Sequence, residues 1–104
     1  MSKRLFNGRF PFDAVLCNND EWAAILVGML KKHGLRVPDD VTLVGYNDSR
    51  VAKLSEPPLA SVNRRNEDVV KAIEELIFAR LDNRDMAVQK REVPMQFVWR
   101  ESAG

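Results

Sequence analysis

The sequence predicts an α/β domain built on parallel strands. Two apolar runs, F-D-A-V-L-C-N over residues 12–18 and V-T-L-V-G-Y over residues 41–46, are continuous rather than alternating. Such runs mark strands covered on both faces. A helical segment over residues 20–33 separates them, and the connection L-R-V-P-D-D over residues 35–40 has a length usual in α/β units. Strand, helix, short loop and strand make a βαβ unit, right-handed with its strands parallel. Both strands then finish at one edge of the sheet, and both finish in short polar side chains. Asn18, Asn19 and Asp20 follow the first, and Asn47, Asp48 and Ser49 follow the second. Ligands of open α/β sheets sit at such strand ends.

The helix over residues 20–33 is well bounded. Asn19 or Asp20 can cap it through a side-chain oxygen, and Glu21 suits the positive end of its dipole. Lys31, Lys32 and His33 occupy its last turn, Gly34 can take the left-handed cap, and Pro38 prevents resumption. Its apolar residues, from Trp22 through Leu30, cover nearly the whole circumference, so a second face is expected to meet another subunit or another part of the chain. Gly28 in its middle suits close backbone packing.

Beyond the second strand, residues 50–54 suit one helical turn. The run S-E-P-P-L over residues 55–59 is irregular, because two prolines lack amide protons and Glu56 is pushed extended by Pro57. The bond between Pro57 and Pro58 is a candidate for the cis form. A short strand over residues 59–62 and a polar crossing over residues 63–65 follow. The second long helix, residues 66–83, carries a stripe of Val69, Val70, Ile73, Leu76, Ile77 and Leu81, with Lys71, Glu74, Glu75, Arg80 and Asp82 opposite. After a loop, residues 91–93 and 95–100 are extended pieces split by Pro94, and residues 101–104 trail off.

Composition narrows the function classes. The chain has 104 residues, 45% hydrophobic and 30% charged, with a net charge of +1, so it is an ordinary globular sequence with no global pull toward nucleic acid or membrane. One cysteine, Cys17, excludes an internal disulfide and fits a reducing compartment. No signal-peptide core or membrane-length apolar run stands in it, so a soluble, cytoplasmic chain is expected. Catalysis is poorly served. His33, the single histidine, complements a helix dipole, and Cys17 lies in a strand without a histidine close by. There is no glycine-rich phosphate loop, no H-E-x-x-H and no paired-cysteine site, so no enzyme, metal or cofactor is expected.

Binding is better served. Asn19 and Asn47 offer donors and acceptors without charge, which suits hydroxyl-rich small molecules. Asp20 and Asp48 are expected mainly as caps or turn residues, with Asp20 retained as a candidate contact. Tyr46 either stacks on a sugar ring or packs in the core. Trp22, in the first helical turn, is placed to flank the pocket.

Four stretches carry a family resemblance: D-A-V-L-C-N-N-D-E-W-A, H-G-L-R-V-P-D-D-V-T-L-V-G-Y-N-D-S, S-E-P-P-L-A-S-V and V-P-M-Q-F-V-W-R-E-S. In order and spacing they resemble the effector-binding domain of LacI/GalR-type transcriptional regulators. The resemblance implies a periplasmic-binding-protein-like I fold of two Rossmann-like lobes joined by three crossings, present here as its carboxyl-terminal part. Residues 1–11 are then a linker or the remnant of a preceding helix. Residues 12–62 and 95–104 belong to the second lobe, and residues 63–94 to the first. The family's effector contacts fall on Asn19, Asn47 and Arg64. The family often has aspartate at the position of Asn47 and glutamine at that of Arg64, so an acidic or phosphorylated sugar becomes possible. The resemblance also implies a homodimer through the helix over residues 20–33. DNA binding would come only through an N-terminal helix-turn-helix outside this chain. The alternatives are a periplasmic sugar-binding protein of similar fold, and a small flavodoxin-like enzyme or receiver domain.

Overall fold

The computed structural model describes residues 11–104, so all but the last residue of the expected linker lies outside the described residues. The chain begins with strand β1, Ala14–Leu16, helix α1, Asp20–Lys32, and strand β2, Thr42–Val44. The strands pair in parallel with Val15 opposite Leu43, and hydrogen bonds from Thr42 N to the Asp13 carbonyl (2.9 Å) and from Cys17 N to that of Val44 (2.8 Å) extend the ladder. This is the expected βαβ unit, with strands shorter than the apolar runs.

The core forms where α1 lies on the strands. Ala23, Val27 and Leu30 recur at helical spacing and close on Val41, Leu43, Ala52 and Leu59, all buried. The helix is capped by Asn19, whose Oδ1 accepts from Trp22 N at 2.9 Å. At its other end Gly34 takes φ +78 and the Leu35 amide reaches back to the Leu30 carbonyl at 2.9 Å. The following loop is clipped by Asp40, which accepts from Arg36 N (2.7 Å) and Nε (3.1 Å). The Arg36 hydrogen bond holds the Asp40 carboxyl below the usual carboxylate range.

The chain then makes helix α2, Arg50–Leu54, strand β3, Ser61–Asn63, helix α3, Asn66–Asp82, strand β4, Gln96–Val98, and a 3-10 turn, Glu101–Ala103. Just before β3, Ala60 bridges Val44 in parallel, so the chain adds to the β2 edge before leaving it. β3 then pairs antiparallel with β4, Val62 opposite Phe97.

Several expectations are corrected. The cis bonds are Val37–Pro38 and Glu56–Pro57, not the bond between the two prolines. Residues 91–93 form no strand. Residues 101–104 do not trail off. Ser102 is fully buried, donating from Oγ to the Leu43 carbonyl (2.5 Å) and accepting from Ala60 N (2.8 Å), because two backbone groups at the β2 edge need partners. β1 is covered on one face only, and Leu16 is 71% exposed on the other. No residue of α3 is buried, and Val70, Ile73, Ile77, Phe78 and Leu81 of that helix are exposed. The apolar stripe is present but mostly uncovered; of its residues only Val69 and Leu76 are half-buried.

The radius of gyration, 18.8 Å, exceeds the roughly 13 Å of a compact domain of about 100 residues. Extents of 60 × 25 × 17 Å give the reason: the β3–β4 ribbon and α3 extend away from the core instead of folding over it. Stability therefore rests on the small core under α1. Leu43→Ala, at a fully buried position, is expected to cost about 2–5 kcal/mol, read as a lower urea midpoint; a midpoint equal to that of the parent chain would show that the core lies elsewhere.

Candidate ligand-binding site at the strand ends

The carboxyl ends of β1 and β2 are held by a buried carboxylate. Asp20, 1% exposed, accepts from Ser49 N (2.6 Å) and Ser49 Oγ (2.8 Å) on Oδ2 and from Ser61 Oγ (2.6 Å) on Oδ1. It thereby ties the start of α1 to the loop after β2 and to β3. Gly45 makes room for it, since a Cβ there would lie 3.2 Å from the Asp20 Cα and collide with its carboxylate. Asn19, not Asp20, supplies the cap, and Asp20 faces the interior rather than the strand-end crevice. The side-chain oxygen of Asn19 is occupied by the cap.

Asp48 also turns inward. Its Oδ1 pairs with Arg100 Nη2 at 2.6 Å, its Oδ2 accepts from Asn63 Nδ2 at 3.0 Å, and its amide donates to Ser61 Oγ at 2.9 Å. Ser49 rather than Asp48 stands at the N-cap of α2. Asn47 and Asp48 both lie in the left-handed region, at φ 100 and φ 52. Asparagine and aspartate tolerate that region better than most residues. The Asn47 amide is anchored on the Val62 carbonyl at 2.9 Å, which leaves the side chain exposed.

Asn47 opens onto a polar cavity of about 420 Å³ between the end of β2 and the start of α3, bordered also by Asn63, Asn66, Glu67 and Gln96. Tyr46 faces the other way. It borders a shallower hollow of about 330 Å³ with Leu16, Cys17 and Asn18, and its hydroxyl lies 3.5 Å from Met95 Sδ. Arg64 follows β3, with its guanidinium 6.0 Å from the Tyr46 ring centroid, at the outer reach of a cation–π contact. Arg64 forms no ion pair among the described residues, whereas Arg65 beside it pairs with Asp68 at 3.0 Å. Trp22 is 60% exposed and borders neither hollow. The structure thus gathers Asn47, Tyr46 and Arg64 at the end of β2, places Asn19 and Trp22 at the start of α1, and withdraws Asp20.

Sequence reasoning missed Ser61, Asn63, Gln96 and Arg100. Asn63 was legible as part of a polar crossing. Arg100 carried a weaker signal, a lone cation ending the last apolar strand. Burial pushes the Cys17 thiol up, which disfavours the reactive thiolate. Among the described residues, no cluster of three or more His, Cys, Asp or Glu is placed to hold a metal. No helix among them is long and apolar enough to cross a membrane.

The Asp20 network has a measurable consequence. Asp20→Ala strands the Ser49 and Ser61 donors and is expected to cost about 3 kcal/mol, measured by urea unfolding of the chain. A loss below about 1 kcal/mol would mean that water replaces the carboxylate at no net penalty.

Comparison with known proteins places this geometry in a family. The periplasmic binding protein-like domain matches residues 3–103. The HTH-type transcriptional repressor PurR of Vibrio campbellii is 35% identical over 83 residues, covering 80% of this chain and 24% of that protein. The lactose operon repressor of Rhizobium radiobacter is 31% identical over 91 residues, covering 88% of this chain and 80% of that sequence. Among solved structures, a complex of the transcriptional regulator CelR with cellobiose superposes with a TM-score of 0.80 at 33% identity, over 86% of this chain and 28% of that one. This chain spans about a quarter of the length of the PurR proteins it matches. The chain therefore belongs to the periplasmic binding protein-like domain family, with the effector-binding domains of LacI/GalR-type regulators as its relatives.

Proposed function

We propose that the chain is the carboxyl-terminal part of the effector-binding domain of a LacI/GalR-type transcriptional regulator that senses a sugar or sugar derivative. The observation that carries this reading is Asn47, held at φ 100 at the carboxyl end of β2 with its side chain turned out toward a polar cavity. A strand end of this kind is where α/β sheets receive ligands. The relative CelR has been solved with cellobiose, which supports a sugar as the class of ligand.

In this reading residues 12–62 and 95–104 form one lobe and residues 63–94 contribute to the other. The effector lies between them, against Asn47, with Arg64 close by; Tyr46, which faces a separate hollow, and Trp22, which borders neither, are not placed on it. Arg64, free of an ionic partner among the described residues, suits an acidic or phosphorylated sugar. Binding changes the closure of the lobes, and closure is relayed to DNA-binding heads encoded outside this chain. The regulator works in the cytoplasm. A periplasmic carrier of similar fold fits less well, since the curated relatives are repressors. The curated relatives are repressors rather than enzymes, which supports a binding role.

The second face of α1 supports a homodimer. Trp22 and Ile25 are 60% and 62% exposed on a helix whose opposite face is the core. Ile25→Glu in the intact regulator is expected to weaken the dimer at least tenfold in sedimentation equilibrium; an unchanged dimer would place the interface elsewhere.

The ligand assignment is tested in the intact regulator by calorimetric titration with a panel of neutral, acidic and phosphorylated sugars. Asn47→Ala is expected to weaken the sugar that binds by about tenfold, or ~1.4 kcal/mol, with an unchanged melting temperature. Equal affinity would remove Asn47 from the site, and failure of every sugar to bind or to alter operator affinity would reject the reading itself.

A further inference from the structure

A chain of contacts runs from the last residues of the protein to Asn47. Two residues beyond β4 stands Arg100, a cation only 17% exposed in its side chain, and its guanidinium meets two partners. Nη2 meets Asp48 Oδ1 at 2.6 Å, and Nη1 donates to the Leu59 carbonyl at 2.9 Å. Asp48, 9% exposed in its side chain, accepts a hydrogen bond from Asn63 of β3 on Oδ2 and gives its amide to Ser61 of β3. Asp48 therefore ties β3 to the segment that follows β4. It is also the residue next to Asn47, and the two share an uncommon left-handed backbone at φ 52 and φ 100. Such a conformation persists where its surroundings over-determine it. Here those surroundings are the Arg100 ion pair, the Asn63 amide, the Ser61 hydroxyl and the Val62 carbonyl that receives the Asn47 amide.

We propose that the Asp48–Arg100 ion pair is a positioning device that locks the Asn47 backbone in its outward-facing form and makes it follow the β3–β4 ribbon. The role at the ligand rests on the reading of Asn47 given above, while the mechanical coupling does not. The ribbon leaves the core where α3 begins and returns to it at Arg100, so any shift of the ribbon against β2 must either stretch the pair or drag Asn47 with it. Arginine is suited to the task because one nitrogen of its fork hydrogen-bonds the Leu59 carbonyl while another places its charge against the Asp48 carboxylate, a contact that is ionic rather than a hydrogen bond. Asp48 borders the same cavity as Asn47, but its carboxylate is engaged by Arg100 and Asn63, so Asp48 and Arg100 act as positioning residues.

Hydrogen exchange of the ¹⁵N-labelled 104-residue chain tests the coupling without any ligand. The reporters are the Asn47 and Asp48 amides; the controls are the Cys17 and Thr42 amides, which flank the β1–β2 ladder. In Arg100→Met and in Asp48→Asn, protection of both reporters is expected to fall about tenfold, with the controls changed less than twofold. Because the two residues act as a unit, the double variant is expected to fall no further than either single one. Reporters as protected as in the parent chain, an equal loss at reporters and controls in both variants, additive losses in the double variant, or reporters unprotected in the parent chain would each overturn the proposal. A confined, non-additive loss followed by unchanged sugar affinity of the Asn47→Ala regulator would keep the coupling and reject the ligand role.

Discussion

The structure depends on one buried carboxylate. Asp20 sits at the first position of α1 with 1% of its surface exposed and is satisfied by three donors, all from neutral groups. An ionised carboxylate away from water is costly unless such donors surround it, and hydrogen bonds to a charged group are worth about 1.5–3 kcal/mol each. The donors come from Ser49 and Ser61, so satisfying Asp20 sets the loop after β2 and the start of β3 against the end of β1. Gly45 is the steric counterpart, because the carboxylate occupies the space a side chain would need. The mouth of the candidate site is thus fixed from behind, by groups that do not face it.

A second layer of polar contacts stands on the first. Ser61 donates to Asp20 and accepts from the Asp48 amide, so the two acidic residues at the strand ends share one hydroxyl. Asp20 is balanced by dipoles and Asp48 by the charge of Arg100. The difference matters for function. A carboxylate held by dipoles is tied to its own neighbourhood, whereas one held by a distant arginine is tied to wherever that arginine goes. The cavity beside Asn47 is lined mainly by polar groups, among them Asn63, Asn66, Glu67 and Gln96.

The apolar surface is distributed less completely. Leu16 of β1, Trp22 and Ile25 of α1, and Val70, Ile73, Ile77, Phe78 and Leu81 of α3 are all more than half exposed or at the half mark. Exposed apolar groups are normal when scattered, but a helix stripe left mostly open is more apolar surface than a monomeric domain usually shows to water. The elongated shape has the same cause: 104 residues make one small core and two elements that reach beyond it. The matched length of its relatives agrees, since the PurR proteins are about four times as long as the part this chain matches.

Much of this was legible in the sequence, for local reasons. The βαβ unit follows from two continuous apolar runs and a capped helix between them. The bounds of α1 follow from Asn19, the basic last turn and Gly34. The strand-end polar residues follow from their place after the runs, and the four family stretches pointed to the fold. Tertiary structure decided the rest. The sequence favoured Asp20 as the cap and Asn19 as a ligand contact, but Ser49 and Ser61, 29 and 41 residues away, took Asp20, and Asn19 made the cap. The sequence marked Asp48 as a turn residue, and Arg100 just beyond the last strand claimed it. Residues 101–104 carry no periodic signal, yet Ser102 closes the β2 edge because two backbone groups there lacked partners. Helix periodicity located the stripe of α3 but not its cover. Local pattern records which groups must be buried or paired, while the partner that satisfies each one is chosen by long-range contact.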